Sequence, residues 1–600
     1  MSDLDVIIVG GGWAGLAAAT VLTPNKKIIL YERAGELGGR ASSFYDEEFG
    51  EWLDNGPHIF VGAYRESMKL LEKWHSYDWY KRRKWKLRQR WADVSDISFD
   101  QSGEIPWIYP GGRIIPLKLG GVINSAVELL RFKGMSGKER MRTVKAMRVL
   151  TQEHPSLALS IKERGGIEKI VDFQKVDQLL QYPTVEQFLR RYGIEPGSCG
   201  GLWDALSVAI MNAPTSAADV RPFAKALREW LRSGKDASRI VLMDKPFKQF
   251  YCDLAEQWLV PPDPLQEEYD KLCKLADDVG VPRPKKEGLR ISSDNLFDTM
   301  CEIADAVGEP RPERPKSPFD IIGDLSEALG KPRAENKRPT VTYADLTRHN
   351  VQICKGTPVK ELVIDSSGRV VGVRVGSGFQ RVVTSDGMEI PLDTDIVRAK
   401  AVILAVPPHE VLRLLPEKWR NHAYFSRFSR FQYSPIASVH INFDRVVCPV
   451  RFGLFPGAFT HWVFGRGASQ SDGWRNVTAI ISAAPSKSEM TNDQIAERVI
   501  ADLRDRLPQA VDAKVEATRV IRTVRATVLL TPDSTNLRPD LDRFWHSDER
   551  KIPVQGLYLA GDWCHTGLPA TIESAVRSGV AAGKETGSFL EQLKERNVDD

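Results

Sequence analysis

Residues 6–22 carry no charged side chain, and four glycines, Gly10, Gly11, Gly12 and Gly15, sit inside that run. An uncharged stretch of this length approaches what a bilayer requires. The glycines argue against a spanning helix, and Met1–Asp5 is acidic where a secretory signal needs a positive start. The segment instead reads as a buried strand (Asp5–Val9), a tight glycine turn and a helix (Ala14–Leu22). A turn at Thr23-Pro24-Asn25 and a second strand, Lys27–Tyr31, follow. A continuous apolar first strand is the mark of a parallel sheet covered on both faces. The chain is therefore expected to be α/β, with its sheet wound around this opening unit.

Each glycine of Gly10-x-Gly12-x-x-Gly15 has a task. One makes the tight turn, one lets a pyrophosphate approach the backbone, and one allows close helix–strand packing. The helix start then offers free amides and a positive dipole end to phosphates. Glu32 ends the next strand, where a carboxylate accepts from ribose hydroxyls and repels a 2′-phosphate. That disfavours NADP. Arg33, beside it, is grouped with the same site.

Two more segments carry a resemblance. Gly38-Gly39-Arg40 resembles the loop of flavin-binding families whose arginine lies near the pyrophosphate. Far along the chain, Leu557-Tyr558-Leu559-Ala560-Gly561-Asp562 resembles the motif in which an aspartate holds the ribityl chain. Pro569, Ala570, Thr571 and Ile572 then read as the start of a helix with proline near its first turn. Its amides would face the flavin and stabilise the negative charge of the reduced form. An NAD-only domain has no need of that second segment, so the resemblance implies FAD, bound non-covalently.

The expected architecture is an FAD-binding Rossmann-like domain of the GR2 type interleaved with an α+β substrate domain. The first takes residues 1–75, 341–412 and 545–590; the second takes 76–260 and 413–544. Between them, 261–340 forms a helical repeat insertion. Its three copies end at Val279-Gly280-Val281-Pro282-Arg283, Val307-Gly308-Glu309-Pro310-Arg311 and Leu329-Gly330-Lys331-Pro332-Arg333. Glycine followed by proline is sound helix-stop chemistry. The repeats read as a surface insertion without chemistry, with partner docking as the other reading.

A closer resemblance is carried by Leu53-Asp54-Asn55-Gly56-Pro57-His58-Ile59-Phe60, Leu202-Trp203-Asp204-Ala205-Leu206 with Asn212, Tyr433-Ser434-Pro435-Ile436, His461-Trp462-Val463-Phe464, and the ending from Ala560 to Gly579. These are similar to the hydroxysqualene dehydroxylases and, more distantly, to the plant-type phytoene desaturases. The implied activity is hydride transfer with a long isoprenoid, reducing hydroxysqualene to squalene. Carotenoid desaturation, amine oxidation and a non-catalytic prenyl-binding protein of the same fold are the alternatives. Pro57 and Cys564-His565 depart from the family pattern, and Cys564 keeps covalent flavin attachment open.

Hydride passes through the flavin itself, so no triad or metal site is required, and none is legible. A leaving hydroxyl would need a proton donor. His58 and His565 are the candidates, each with a structural hydrogen-bonding role as the plainer reading; Asp54 reads as a loop-fixing residue.

Trp74, Trp79, Trp85 and Trp91 alternate with Lys81, Arg82, Arg83, Lys84, Lys86, Arg88 and Arg90. Such a run suits peripheral contact with anionic headgroups, or a strand pair with its tryptophans packed inward. The net charge of +4 gives no global reason to expect nucleic acid. Seven cysteines without a C-x-x-C pair fit a reducing, cytoplasmic setting, with the inner membrane face as the place of any peripheral contact. Nothing in the sequence identifies the redox partner.

Overall fold

The computed structural model describes residues 4–82, 97–118, 122–151, 182–232, 240–260, 350–375, 396–541 and 552–596, with short breaks inside these blocks and small pieces at 286–287, 290–291, 301, 382–383 and 389–390. The helical repeats expected at 261–340 lie outside the described residues except for those pieces. So does the second half, 83–91, of the run from Trp74 to Trp91. Trp74 itself points inward: it is fully buried, lies 5.5 Å from the Trp13 ring and donates to Thr20 Oγ1 at 3.1 Å. No described helix is long and apolar enough to cross a membrane.

Five short apolar strands form one parallel sheet in the order Val351–Cys354, Ile28–Tyr31, Val6–Val9, Ala401–Leu404 and Leu557–Leu559. Val6 pairs with Ile28 on one side and Ala401 on the other. Parallel neighbours cannot be joined by a tight turn and need a crossover. Here the crossovers contain most of the molecule, which is why the sheet is drawn from distant parts of the chain.

The helix Trp13–Leu22 packs against the long C-terminal helix Ile572–Arg596. Gly579 and Gly583, four apart and so on one face, permit the approach. A Cβ on Gly579 would fall 2.1 Å from Ala14 O, and one on Gly583 would fall 3.0 Å from Ala18 O.

A second sheet of seven strands runs Val515–Val528, Tyr433–Phe443, Asn476–Ser482, Trp462–Arg466, Phe452–Leu454, Glu104–Tyr109 and Arg113–Lys118. All neighbours are antiparallel except Phe452–Leu454 with Glu104–Tyr109, where Leu454 meets Trp107. The helices Leu202–Met211 and Val220–Arg232 share a core with this sheet, in which Trp107, Trp203, Phe223 and Trp462 are buried.

One boundary differs from the sequence division. Lys248–Cys252 and Asp253–Leu259 belong to the core of the dinucleotide side, not to the substrate side. The Asp54 carboxylate accepts from Phe247 N at 2.9 Å, Ser43 Oγ accepts from Lys248 N at 3.0 Å, and Tyr251 stacks on Trp13 at 4.3 Å. An apolar helix face does not state which core will receive it; these partners lie some 200 residues away in sequence.

Replacing Gly579 by valine should overpack the helix–helix contact and cost about 1–3 kcal/mol. Urea unfolding of the cofactor-free protein measures this, and an unchanged midpoint would mean that the two helices can separate freely.

Candidate active site: a cofactor cleft continuous with an apolar cavity

The glycine turn is built as its sequence requires. Gly10 has φ +108°, and a Cβ there would meet Ala405 O at 2.5 Å. At Gly15 a Cβ would fall 1.9 Å from Gly10 O, so strand and helix can pack this closely only without one. Gly12 differs: a Cβ there would come no nearer than 3.8 Å to Gly38 O and Gly39 Cα. Its hydrogen leaves backbone open at the cavity wall, and no side chain caps the helix that begins at Trp13. An uncapped helix start behind an exposed glycine backbone is a fitting cradle for a pyrophosphate.

Glu32 lines the same cavity with its carboxylate held firmly. Oε2 accepts from Gly11 N at 2.7 Å and Oε1 from Ala34 N at 2.9 Å. Each oxygen keeps acceptor capacity for a ribose hydroxyl. Arg33 sits on the rim, 69 % exposed, with its guanidinium 3.3 Å from Glu410. Arg40 spans the cleft, donating to Asp562 Oδ1 at 2.5 Å and to Ala526 O at 2.8 Å. That ion pair joins residues 522 apart in sequence.

Gly39, Gly561, Asp562, Pro569, Ala570, Thr571 and Ile572 all line the cavity. The C-terminal helix starts at Ile572, so Pro569 lies in the preceding loop and not in the first turn. Thr571 takes the capping position instead, its Oγ1 accepting from Ser574 N at 3.3 Å.

The cavity measures about 630 Å³ and continues from the Gly561–Asp562 end to a wall of Ile105, Trp107, Leu206, Phe452, Trp462 and Phe464. Ile105, Trp107, Phe452 and also Leu454, which lines the same cavity, were invisible as site residues in the sequence. An apolar residue in a strand looks the same whether it faces a core or a substrate. Asn212 holds the helical side of the wall to the sheet. It adopts φ +50°, its Nδ2 donates to Thr527 Oγ1 at 2.9 Å, and its Oδ1 accepts from Ala483 N at 2.9 Å.

The two proton-donor candidates part company. His58 lines the cavity with its ring 5.1 Å from Phe247. Burial, aided by the charge of Arg40, pushes its imidazole down to about 4, so it is neutral at physiological pH. His565 turns away, 44 % exposed and 3.4 Å from the Asp540 carboxylate, because Pro539 O fixes its backbone N at 2.8 Å. It does not line the cavity, which removes it as an acid for a substrate there. Cys564 is buried among core residues and also lies off the wall, its thiol pushed far up by burial. That position does not place it for covalent attachment of a flavin in this cavity. Asp54 keeps to its loop: Ser43 Oγ donates to it at 2.6 Å in addition to Phe247 N, and burial pushes its carboxyl up to about 6. Among the described residues, no cluster of three or more His, Cys, Asp or Glu could hold a metal.

Comparison with known proteins agrees with a flavin-binding fold. Residues 337–585 match the family described as "Flavin containing amine oxidoreductase", and residues 8–74 match "NAD(P)-binding Rossmann-like domain". The 15-cis-phytoene desaturase of Narcissus pseudonarcissus is 22 % identical over 99 % of this chain and 81 % of its own length. That of Synechococcus elongatus is 21 % identical over 99 % and 98 %. The hydroxysqualene dehydroxylase of Rhodopseudomonas palustris is 29 % identical, over 30 % of this chain and 36 % of its own length. A putrescine oxidase double mutant superposes with a TM-score of 0.53 at 14 % identity, covering 98 % of this chain and 99 % of its own. Cyclohexylamine oxidase from Brevibacterium oxydans gives 0.51 at 14 %, covering 98 % and 100 %. The fold is that of the FAD-dependent oxidoreductases, and FAD is the cofactor.

Glu32→Ala should weaken FAD binding by roughly 1–3 kcal/mol, the scale of a lost charge-assisted hydrogen bond. Titration of the cofactor-free protein with FAD reads it, and unchanged affinity would detach Glu32 from the adenosine end. The depressed pKa of His58 has a second consequence. Its contribution to stability is full above its ordinary value of 6.5 and is lost as pH falls towards about 4, because the unfolded chain takes up the proton first. In urea midpoints measured from pH 7 to 4, His58→Gln should decline less steeply than the unaltered protein. Parallel curves would show that His58 is not the buried neutral group described.

Proposed function

We propose that the chain, an FAD-dependent oxidoreductase of the amine oxidase and desaturase superfamily, acts on a long isoprenoid and removes the hydroxyl of hydroxysqualene to give squalene. The observation that carries the substrate class is the cavity itself: the cofactor cleft opens, without interruption, onto a wall of aliphatic and aromatic side chains. FAD supplies the hydride chemistry when bound. The protein's part is to hold the chain and keep bulk water from the reacting carbon. Trp107, Phe452, Trp462 and Phe464 are among the lining residues, and aromatic rings can tolerate a delocalised cation over their faces.

A second reading, desaturation of a carotenoid precursor, has its own support. Loss of a hydroxyl as water needs a proton. His58 is held neutral, and burial pushes the Tyr64 hydroxyl on the same wall up to about 12. Desaturation needs no such donor. The phytoene desaturases also match over nearly the whole chain, whereas the hydroxysqualene dehydroxylase match spans under a third of it.

Anaerobic dithionite-reduced protein should convert hydroxysqualene to squalene in a single turnover with reoxidation of the flavin, followed by mass spectrometry of the product. Ala209→Trp, placed on the cavity wall, should cut that conversion at least tenfold while leaving FAD content intact. Conversion of phytoene by the oxidised protein, with hydroxysqualene untouched, would make the second reading correct. No loss in the tryptophan variant would remove the cavity from the argument.

A further inference from the structure

Behind the cavity wall, the loop 562–568 is held by two cations whose hydrogen-bond acceptors, among the described residues, are all uncharged. Arg538 is 4 % exposed, and its whole guanidinium is directed at this loop. Nε donates to Trp563 O at 3.2 Å, one terminal nitrogen to Leu568 O at 2.8 Å, and the other to Asp562 O at 3.1 Å and to Cys564 O. The same nitrogen lies 3.5 Å from Ser574 Oγ. Lys225, on the helix Val220–Arg232, adds a bond from Nζ to Thr566 O at 2.8 Å. Gly567 makes room for it: φ is +74°, and a Cβ there would fall 2.5 Å from that Nζ.

Every one of these acceptors is neutral. Asp562 pairs with Arg40 and Asp219 with Arg221, while Glu229 and Glu573 share Arg577 and Glu229 also attracts Lys225. Burial pulls Arg538 down to about 10 and Lys225 to about 8, so both remain protonated at neutral pH. A buried charge is normally matched by an opposite charge. Carbonyl dipoles satisfy these hydrogen bonds but leave the net charge in place.

We propose that Arg538 and Lys225 are positioning residues that raise the reduction potential of the flavin, by fixing the loop 562–568 and by placing positive charge directly behind it. Asp562, Trp563 and Leu568 of this loop line the cofactor cavity, so the two cations lie one residue layer from it. Reduced flavin carries more negative charge than oxidised flavin, and charge near the ring tunes its electronics. Through a buried, weakly polarisable layer that interaction is attenuated far less than in water. The inference uses FAD as the cofactor and does not depend on which substrate is correct.

The test separates charge from support. Cofactor-free protein is titrated with oxidised FAD and, anaerobically, with reduced FAD; the ratio of the two dissociation constants gives the shift in potential. Lys225→Met keeps most of the stem and removes the charge. It should weaken reduced FAD about tenfold more than oxidised FAD, which is about 30 mV for a two-electron couple. Lys225→Arg should restore the ratio. Arg538→Lys should shift it less than Arg538→Gln does. If Lys225→Met weakens both redox forms equally, up to complete loss of binding, or leaves the ratio unchanged, the cations act as supports alone and the proposal fails.

Discussion

The parallel pairing of Val6–Val9 with strands on both sides is the constraint on which the rest of this structure depends. Ile28–Tyr31 lies against one edge and Ala401–Leu404 against the other, with Val351–Cys354 and Leu557–Leu559 outside them. Parallel strands must be joined by long crossovers. In this chain the crossover from Tyr31 to Val351 and the one from Leu404 to Leu557 contain the whole seven-stranded sheet and the helices packed on it. The substrate cavity is therefore suspended from the cofactor sheet at several points, and the carboxyl ends of the strands, where open α/β sheets bind ligands, open directly into it.

Joining the two ends of the chain has an electrostatic part and a steric part. Arg40 and Asp562 meet across the cleft at 2.5 Å, and Gly579 and Gly583 let the last helix lie against the first. Glu573 adds a third tie: its carboxylate accepts from Ser67 N at 2.9 Å and from Ser67 Oγ at 2.8 Å. None of these contacts is strong alone. Together they bring Gly10 and Gly12 into the lining of the same cavity as Gly561, Asp562 and Ile572.

Charge is distributed unevenly around that cavity. Its lining carries Glu32, Arg33, Arg40, Glu229, Glu410, Arg413, Asp562 and Glu573, and beside them a wall of aliphatic and aromatic side chains. The three histidines His58, His440 and His461 are all driven towards about 4 by burial. An imidazole enclosed in this way stays neutral, and of the three it is His58 that lines the cavity.

The sequence by itself determined the cofactor half. The apolar run before Gly10, the spacing to Gly15, the carboxylate at Glu32 and the Gly561-Asp562 ending each report a local requirement of backbone or charge. Such requirements restrict which residue types can stand there, and so they can be read one position at a time. Tertiary structure alone decided the other half. Which apolar side chains face substrate space and which face the core, whether His58 or His565 turns inward, where Trp74 points, and which core receives Lys248–Leu259 all depend on partners hundreds of residues away. Arg538 is the clearest case: in sequence it is one arginine beside a proline, and its meaning comes only from four acceptors on a loop that begins 24 residues later and a fifth on the helix after it. Burial and dielectric are properties of the assembled fold, so the chemistry they control could not be read from the chain.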